Sequence, residues 1–404
     1  MKHTKHIVVG GAGAGGLSVG WGLAEAGYNV VVLEKRPQHC QIQSGPKGGL
    51  ARRHGGAFYA GLPQIARKIR KKALRLYDIP CAVKQVGAVY YVRKQDRPFI
   101  ISGWQEAQIP FYEDNSYASI LNPDFCKQNE IKAYITFDQI IDTEQLANFL
   151  KTNFESSGKL EFVKKVIGSE IHKNEIKAII AESMEGEKRY PCDLWINVTG
   201  AWQHEVELKV NPDAEHLMPN FFGWTATPVW RCPWNWNAGS SKPLIIQFYG
   251  IFNLQLLKQL SIIPVAGNHG NSIAGISMAD ENEVYNPDDF YEPLSLRYQE
   301  NKKKLENKCH ELQDLLSQGL RQNQKTVYNP DSMSWCVKSF LIHPEVKRRG
   351  IRIDWGTQLI TVIPMYRYFG GVLNSIVASP GKLGSVLDFR DQVVKEVNRY
   401  FGIA

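Results

Sequence analysis

One stretch limits this chain more than any other: IVVGGAGAGGLSVGWGLAEAGYNVVVLEKR, residues 7–36. Ile7, Val8 and Val9 make the short β-branched run expected of a buried parallel strand. Gly11, Gly13 and Gly16 follow with the spacing G-x-G-x-x-G. In such a turn the first glycine permits the bend, the second lets backbone approach a pyrophosphate, and the third lets helix pack on strand. The pattern predicts a helix from Gly15 to Ala26, ended by Gly27, with its N-terminal N–H groups facing phosphates. Asn29 to Leu33 reads as a second strand. Glu34 closes it, where a carboxylate accepts hydrogen bonds from a ribose. Strand, turn, helix, strand and acid in one register predict a dinucleotide site. A signal peptide suits the stretch poorly, because glycines crowd the apolar run and Glu25 follows soon after.

At 404 residues, 43% of them hydrophobic, the chain can hold one large or two medium domains. No uninterrupted apolar run approaches the ~18 residues of a membrane span. The seven cysteines are scattered without a C-x-x-C pair. That suits a reducing compartment and argues against a cysteine metal site, so no metal is expected. A net charge of +8 would attract an anionic substrate, an acidic membrane surface or nucleic acid. No nucleic-acid module is visible, so no nucleic-acid partner is expected. The densest basic run is ARKIRKKALR, residues 66–75. At helical spacing Ile65, Ile69, Ala73 and Leu76 share a face, and Arg67, Lys68, Arg70, Lys71, Lys72 and Arg75 cover the rest. It reads as a solvated helix face, with a peripheral membrane contact as the alternative. The expected location is cytoplasmic, with or without that contact.

Residues 44–62 are glycine-rich and read as irregular. Gly87 to Val92 reads as a strand. Residues 143–155 read as an amphipathic helix with Thr143 as N-cap and Leu146, Phe149 and Leu150 as its stripe. Leu160 to Val166 and Ile176 to Ala181 read as strands, and residues 296–323 as a long polar helix. The tryptophan-rich segment 221–237 reads as core packing or as an aromatic wall over a ligand.

Three further stretches bear on which dinucleotide binds. In DLWINVTGAW, residues 193–202, a buried strand ends in Thr199-Gly200, where backbone must pass close to a ligand. RRHGGAFYAG, residues 52–61, could run along an isoalloxazine ring. In GVLNSIVASPGKLGSVLDF, residues 371–389, a strand runs into Ser379-Pro380-Gly381 and then a helix starting near Lys382. A helix N-terminus there would serve the negative charge of a flavin, which points to FAD rather than NAD.

The order of these motifs resembles the FAD-dependent oxidoreductases of the D-amino acid oxidase superfamily. HGGAFYAGL (54–62), FDQIIDTEQLANFL (137–150) and GIRIDW (350–355) followed by VLNSIVASPG are most similar to L-2-hydroxyglutarate dehydrogenase/oxidase. Malate:quinone oxidoreductases share the A-S-P-G feature. The resemblance implies an α/β (α+β overall) fold. A Rossmann-type FAD-binding domain would comprise residues 1–80, 150–205 and 345–404. An inserted substrate domain with a mixed or antiparallel sheet would comprise 81–149 and 206–344. It implies non-covalent FAD held by Gly11, Gly13, Gly16, Glu34, Lys35, Arg53, Gly55, Gly56, Val166, Thr199, Gly200, Trp202, Ser379, Pro380, Gly381 and Lys382.

The implied reaction moves a hydride from a small 2-hydroxy acid to flavin N5. Such an acid needs a cation for its carboxylate and a base for its hydroxyl proton. Arg352 is the candidate clamp, His54 the candidate base, and Tyr59 a polarising or packing group. His269, His343 and Tyr366 are weaker candidates. The implied partners are a small anionic substrate and an electron acceptor, which could be oxygen, a quinone or a flavoprotein. Two alternatives stand beside this reading: an amine or amino-acid oxidase of the same superfamily, and an FAD-binding interaction partner without turnover. The second arises because Tyr59 occupies the family's loop-histidine position.

Overall fold

The computed structural model describes residues 5–40, 52–53, 55–79, 83–84, 87–214, 222–233, 245–249, 260–264, 271–276, 278–280, 288–321, 333–341, 360–368, 372–381 and 383–403. The fold is mixed α/β. It combines a largely parallel sheet with a large, mainly antiparallel one.

The chain opens with strand β1 (His6–Gly10), helix α1 (Ala14–Glu25) and strand β2 (Asn29–Glu34), within one residue of the sequence reading. Gly27 takes a φ of +92°, and its N–H donates to Ala24, as a left-handed helix terminator does. β1 pairs in parallel with β2 on one side and with Leu194–Asn197 on the other. Lys159–Phe162 extends the sheet beyond β2, and Ser375–Ser379 extends it beyond Leu194–Asn197. Thr361–Pro364 closes that edge as the single antiparallel member. Ile7, Val8 and Val9 are all buried, because helices or further strands cover both faces.

Several boundaries differ from the sequence reading. The run Leu160 to Val166 is two strands in two sheets, Lys159–Phe162 and Lys165–His172. The break falls where the Val163 N–H bonds Glu34 O and the Lys164 N–H bonds Glu182 O, so consecutive residues serve different neighbours. The second of these strands begins an antiparallel meander completed by Glu175–Ser183 and Gly186–Pro191. The helix Thr143–Glu155 is capped by Asp142, not Thr143; its carboxylate accepts from the Gln145 N–H at 3.1 Å. The last helix starts at Val386 rather than near Lys382, because a 3-10 turn, Leu383–Ser385, intervenes. The segment 44–62 is not wholly irregular: Arg52–Arg53 pairs with Gln139–Ile140, and Ala57–Tyr59 forms a 3-10 turn.

The larger sheet is built from Ala88–Val92, Tyr112–Glu113 and Lys132–Thr136 together with later strands between Phe222 and Leu341. Ala88–Val92 lies within it, antiparallel to Lys132–Thr136 and parallel to Ile245–Tyr249. The long helix is Tyr298–Gly319, with Leu305 and Cys309 buried. The tryptophan-rich segment supplies the strand Phe222–Pro233, but the packing of its tryptophans lies outside the described residues.

Candidate functional site

The first turn of α1 is where the distant motifs meet. Gly11 has a φ of +93°, and its N–H donates to Leu33 O at 2.7 Å. A Cβ on Gly11 would stand 2.8 Å from Val198 O and 2.9 Å from Thr199 Cα. A Cβ on Gly16 would stand 1.8 Å from Gly11 O. Only glycine satisfies both the backbone conformation and these approaches. Gly13 precedes the helix in extended conformation, no side chain caps it, and no acidic residue enters its first turn. Those backbone donors and the helix dipole favour an anion. A Cβ on Gly15 would lie 3.1 Å from Val198 Cγ1 and 3.4 Å from Pro380 Cδ. Three motifs far apart in sequence therefore close around one helix start.

Glu34 stands at the end of β2. One carboxylate oxygen accepts from the Ala12 N–H at 2.6 Å and the other from the Arg36 N–H at 2.9 Å. Burial pushes its pKa up, while these N–H groups and the Arg36 charge oppose that. Cys40 closes the turn: its N–H donates to Ala12 O at 3.1 Å, and burial pushes its thiol far up, which leaves it unreactive. Lys35 and Arg36 face the two ends of the short helix Asp288–Tyr291, with Lys35 3.3 Å from Asp288 and Arg36 3.0 Å from Glu292, the residue after it. The Trp202 indole N–H also donates to Asp288, at 2.7 Å, with the Arg36 guanidinium 5.4 Å from its ring centre. Lys35 and Trp202 are thus joined through one carboxylate.

The Thr199-Gly200 turn rests on a buried polar network the sequence did not disclose. Asn197 Oδ1 accepts from Thr199 Oγ1 at 2.7 Å and from the Thr199 N–H at 3.2 Å. Asn197 in turn donates to Glu207 Oε2 at 3.0 Å, as the Trp195 indole does at 3.1 Å. Ser375 donates to the other Glu207 oxygen at 2.7 Å. Glu207 is fully buried, and burial raises its pKa against these three donors. Asn374, just before the strand Ser375–Ser379, ties the parallel sheet to the antiparallel meander through the backbone of Asp193 and Ile176. The only sequence signal was polar residues inside apolar strands, at N-V-T-G and L-N-S-I.

Gly381 has a φ of +67°, and its N–H donates to Ser379 Oγ at 3.3 Å, which shapes the Ser379-Pro380-Gly381 turn. Gly56 has a φ of +99° and lies against Ala66 O. The Gly55 N–H donates to Asp138 Oδ1, and Tyr90 donates to Asp138 Oδ2 at 2.8 Å. Asp138, wholly buried, thereby fixes the Gly55 loop; the sequence gave it no role.

Val166 packs with Val163, Val8 and Leu33. The neighbouring Val163 N–H donates to the backbone carbonyl of Glu34 at 2.8 Å. Tyr59 is fully buried, packed on Phe58 in the apolar cluster that holds Trp104 and Ile69. Tyr366 donates to Glu396 at 2.8 Å, and burial with that carboxylate pushes it up to about 12. Arg53 is described in its backbone only. His54, Arg352, Lys382, His269 and His343 lie outside the described residues.

A glycine turn that admits no Cβ, an uncapped helix start and a carboxylate ending β2 fit a dinucleotide. The chain belongs to the FAD dependent oxidoreductase family, DAO, whose model matches residues 6–243. Comparison with curated protein sequences finds no match. The fold is similar to NikD, an unusual amino acid oxidase essential for nikkomycin biosynthesis, at 12% identity and TM-score 0.64, covering 97% of this chain and 94% of that one. It is similar to L-proline dehydrogenase from P. horikoshii at 15% identity and TM-score 0.61, covering 99% and 94%. It is also similar to glycerol-3-phosphate dehydrogenase from Bacillus halodurans complexed with FAD, at 11% identity and TM-score 0.61, covering 99% and 65%. The protein is an FAD-dependent oxidoreductase, and its reaction requires a substrate and an electron acceptor. Among the described residues no helix is long and apolar enough to cross a membrane.

Proposed function

We propose that the protein oxidises a small 2-hydroxy acid of the L-2-hydroxyglutarate or malate kind. The observation that carries this reading is the meeting of Gly11, Gly16, Val198-Thr199 and Pro380 at the start of α1. It brings the Ser379-Pro380-Gly381 segment, part of one of the three stretches similar to the hydroxy-acid enzymes, to the cofactor turn. When bound, FAD supplies the hydride acceptor at N5. On this reading the first turn of α1 holds the pyrophosphate, and Glu34 accepts from the ribose hydroxyls. Asn197 orients Thr199, and Asp138 holds the Gly55 loop in place. Arg352 would grip the substrate carboxylate through a bidentate guanidinium, and His54 would take the hydroxyl proton. Burial of Tyr59 in the apolar cluster supports its packing role, which leaves His54 the preferred base. We further take the two large sheets as the cores of an FAD domain and an inserted substrate domain, divided as the sequence suggested.

A second reading, oxidation of a small amino acid, is favoured by the similarity of the fold to an amino acid oxidase and to L-proline dehydrogenase. The test is anaerobic reduction of the purified yellow protein by L-2-hydroxyglutarate, malate, lactate, glycine, L-proline and D-alanine in turn. Bleaching by a hydroxy acid supports the first reading, and bleaching by an amino acid replaces it with the second. A flavin that none of them bleaches counts against both. Reoxidation by oxygen, a soluble quinone or an electron-transfer flavoprotein then identifies the acceptor.

A further inference from the structure

The helix Pro63–Ala73 carries a surface that the FAD site does not use. Its inner face, Ile65, Ala66 and Ile69, is buried with Tyr59, Tyr90 and Trp104. Its outer face presents Gln64, Arg67, Lys68 and Lys71 to solvent, and Leu74, directly after the helix, is 48% exposed. The helix contains five cations and no carboxylate. Arg67 and Arg70 donate to the backbone carbonyls of Glu106 and Gln108, which hold the guanidinium groups without neutralising them. Arg75 differs: it is paired with Asp388 at 2.9 Å and Asp391 at 2.6 Å. Among the described residues, no carboxylate pairs with Lys68 or Lys71. At the other end of the helix Phe99 is 49% exposed, its ring 3.0 Å from where a Cβ on Gly61 would stand.

We propose that this face docks on an anionic lipid bilayer. A stripe of cations about 8 Å long, from Arg67 to Lys72 and bracketed by an exposed Leu74 and an exposed Phe99, has the chemistry of an interfacial helix. The cations meet lipid phosphates, and the two apolar side chains enter the headgroup boundary. An acidic protein partner would use the cations but would give Leu74 and Phe99 no apolar medium. The helix follows the Gly55–Tyr59 loop through only Ala60 to Leu62, so docking sets that loop close to the membrane.

The test is sedimentation of the FAD-loaded enzyme with vesicles of phosphatidylcholine, with and without phosphatidylglycerol, across a salt series. Binding is expected only with the anionic lipid and is expected to fall steeply with salt. The double variant Lys68→Gln, Lys71→Gln should bind roughly 30-fold more weakly, and Leu74→Ser combined with Phe99→Ser should leave a weaker, purely salt-sensitive association. No binding to the anionic vesicles would overturn the proposal, as would equal binding to neutral ones or unchanged binding by the double variant. Should that variant lose its flavin, the salt series on the unaltered enzyme decides by itself: salt-independent binding overturns the proposal. Because vesicle binding needs no turnover, an inactive but membrane-binding protein separates this proposal from the substrate assignment.

Discussion

At the centre of the parallel sheet β1 is aliphatic, and its tightest constraints are places where no atom can be added. Within the larger sheet, the strand Ala88–Val92 is equally buried but carries Tyr90 and Tyr91, both fully buried. Each hydroxyl requires an acceptor there: Asp138 for Tyr90, and Tyr117 O at 2.7 Å for Tyr91. One region is specified by close backbone approach, the other by polar groups that must stay paired. The first should therefore fail when atoms are added and the second when they are removed.

The sharpest way to break this contrast is Gly16→Ala, which sets a methyl 1.8 Å from Gly11 O. The backbone must move, at a cost of about 3 kcal/mol or more, and the pyrophosphate turn moves with it. Purified G16A is expected to carry little FAD, measured as the ratio of flavin to protein absorbance. A full complement of flavin would show that the turn is not sterically fixed.

Glu207 sharpens the comparison, because it is a paired polar group inside the parallel-sheet region. Glu207→Leu leaves the Trp195 and Asn197 donors unpaired and should cost about 3 kcal/mol, whereas Glu207→Gln can keep those bonds. The folded pKa of Glu207 is raised, so the folded state favours its protonated form. Its contribution to stability is complete below the unfolded value, about 4.3, and is lost as pH rises through the folded value. Chemical denaturation across that window should show E207Q lacking this component of the decline. Identical pH profiles would remove Glu207 as its source.

Tyr90→Phe takes one donor from the buried Asp138 carboxylate, with an expected loss of about 1–3 kcal/mol. Thermal melting of Y90F beside a Val89→Ala control, which removes volume but no hydrogen bond, would show whether lost pairing or lost volume governs that sheet. The smallest effect is expected from Asp142→Ala, about 1 kcal/mol for a helix N-cap. A drop in melting temperature without a change in flavin content would place that effect outside both sheets.

What could be read from the sequence follows from the same division. β1, α1 and β2 were legible because their signals are local: β-branched residues, glycines at set offsets, and an acid closing the unit. The break after Phe162 was not, because Val163 and Lys164 answer to partners in different sheets. Nor was the delayed start of the last helix, where a 3-10 turn occupies positions that helical periodicity would accept equally well. Asp138, Glu207 and Asn374 were missed for a related reason. A polar residue in an apolar stretch announces a partner without saying where it is: Glu207 meets Asn197 10 residues away, and Asn374 meets Ile176 198 residues away. The Gly11 and Thr199 segments were legible as separate motifs, while their meeting point depends on strand order.

That strand order has a consequence for the time at which the cofactor can arrive. β1 is made well before its second neighbour, Leu194–Asn197, whose own outer neighbour is Ser375–Ser379. A growing chain therefore displays an unfinished sheet edge until residues 194–197 and then 375–379 have been made. Such non-local pairing is slow and leaves unpaired strands open to aggregation. The turn around Gly11 lacks its Pro380 wall until the last strand is in place. Stable loading of FAD is thus tied to the arrival of the Ser379-Pro380-Gly381 turn, and free cofactor during expression should raise the yield of folded protein by capturing the closed state.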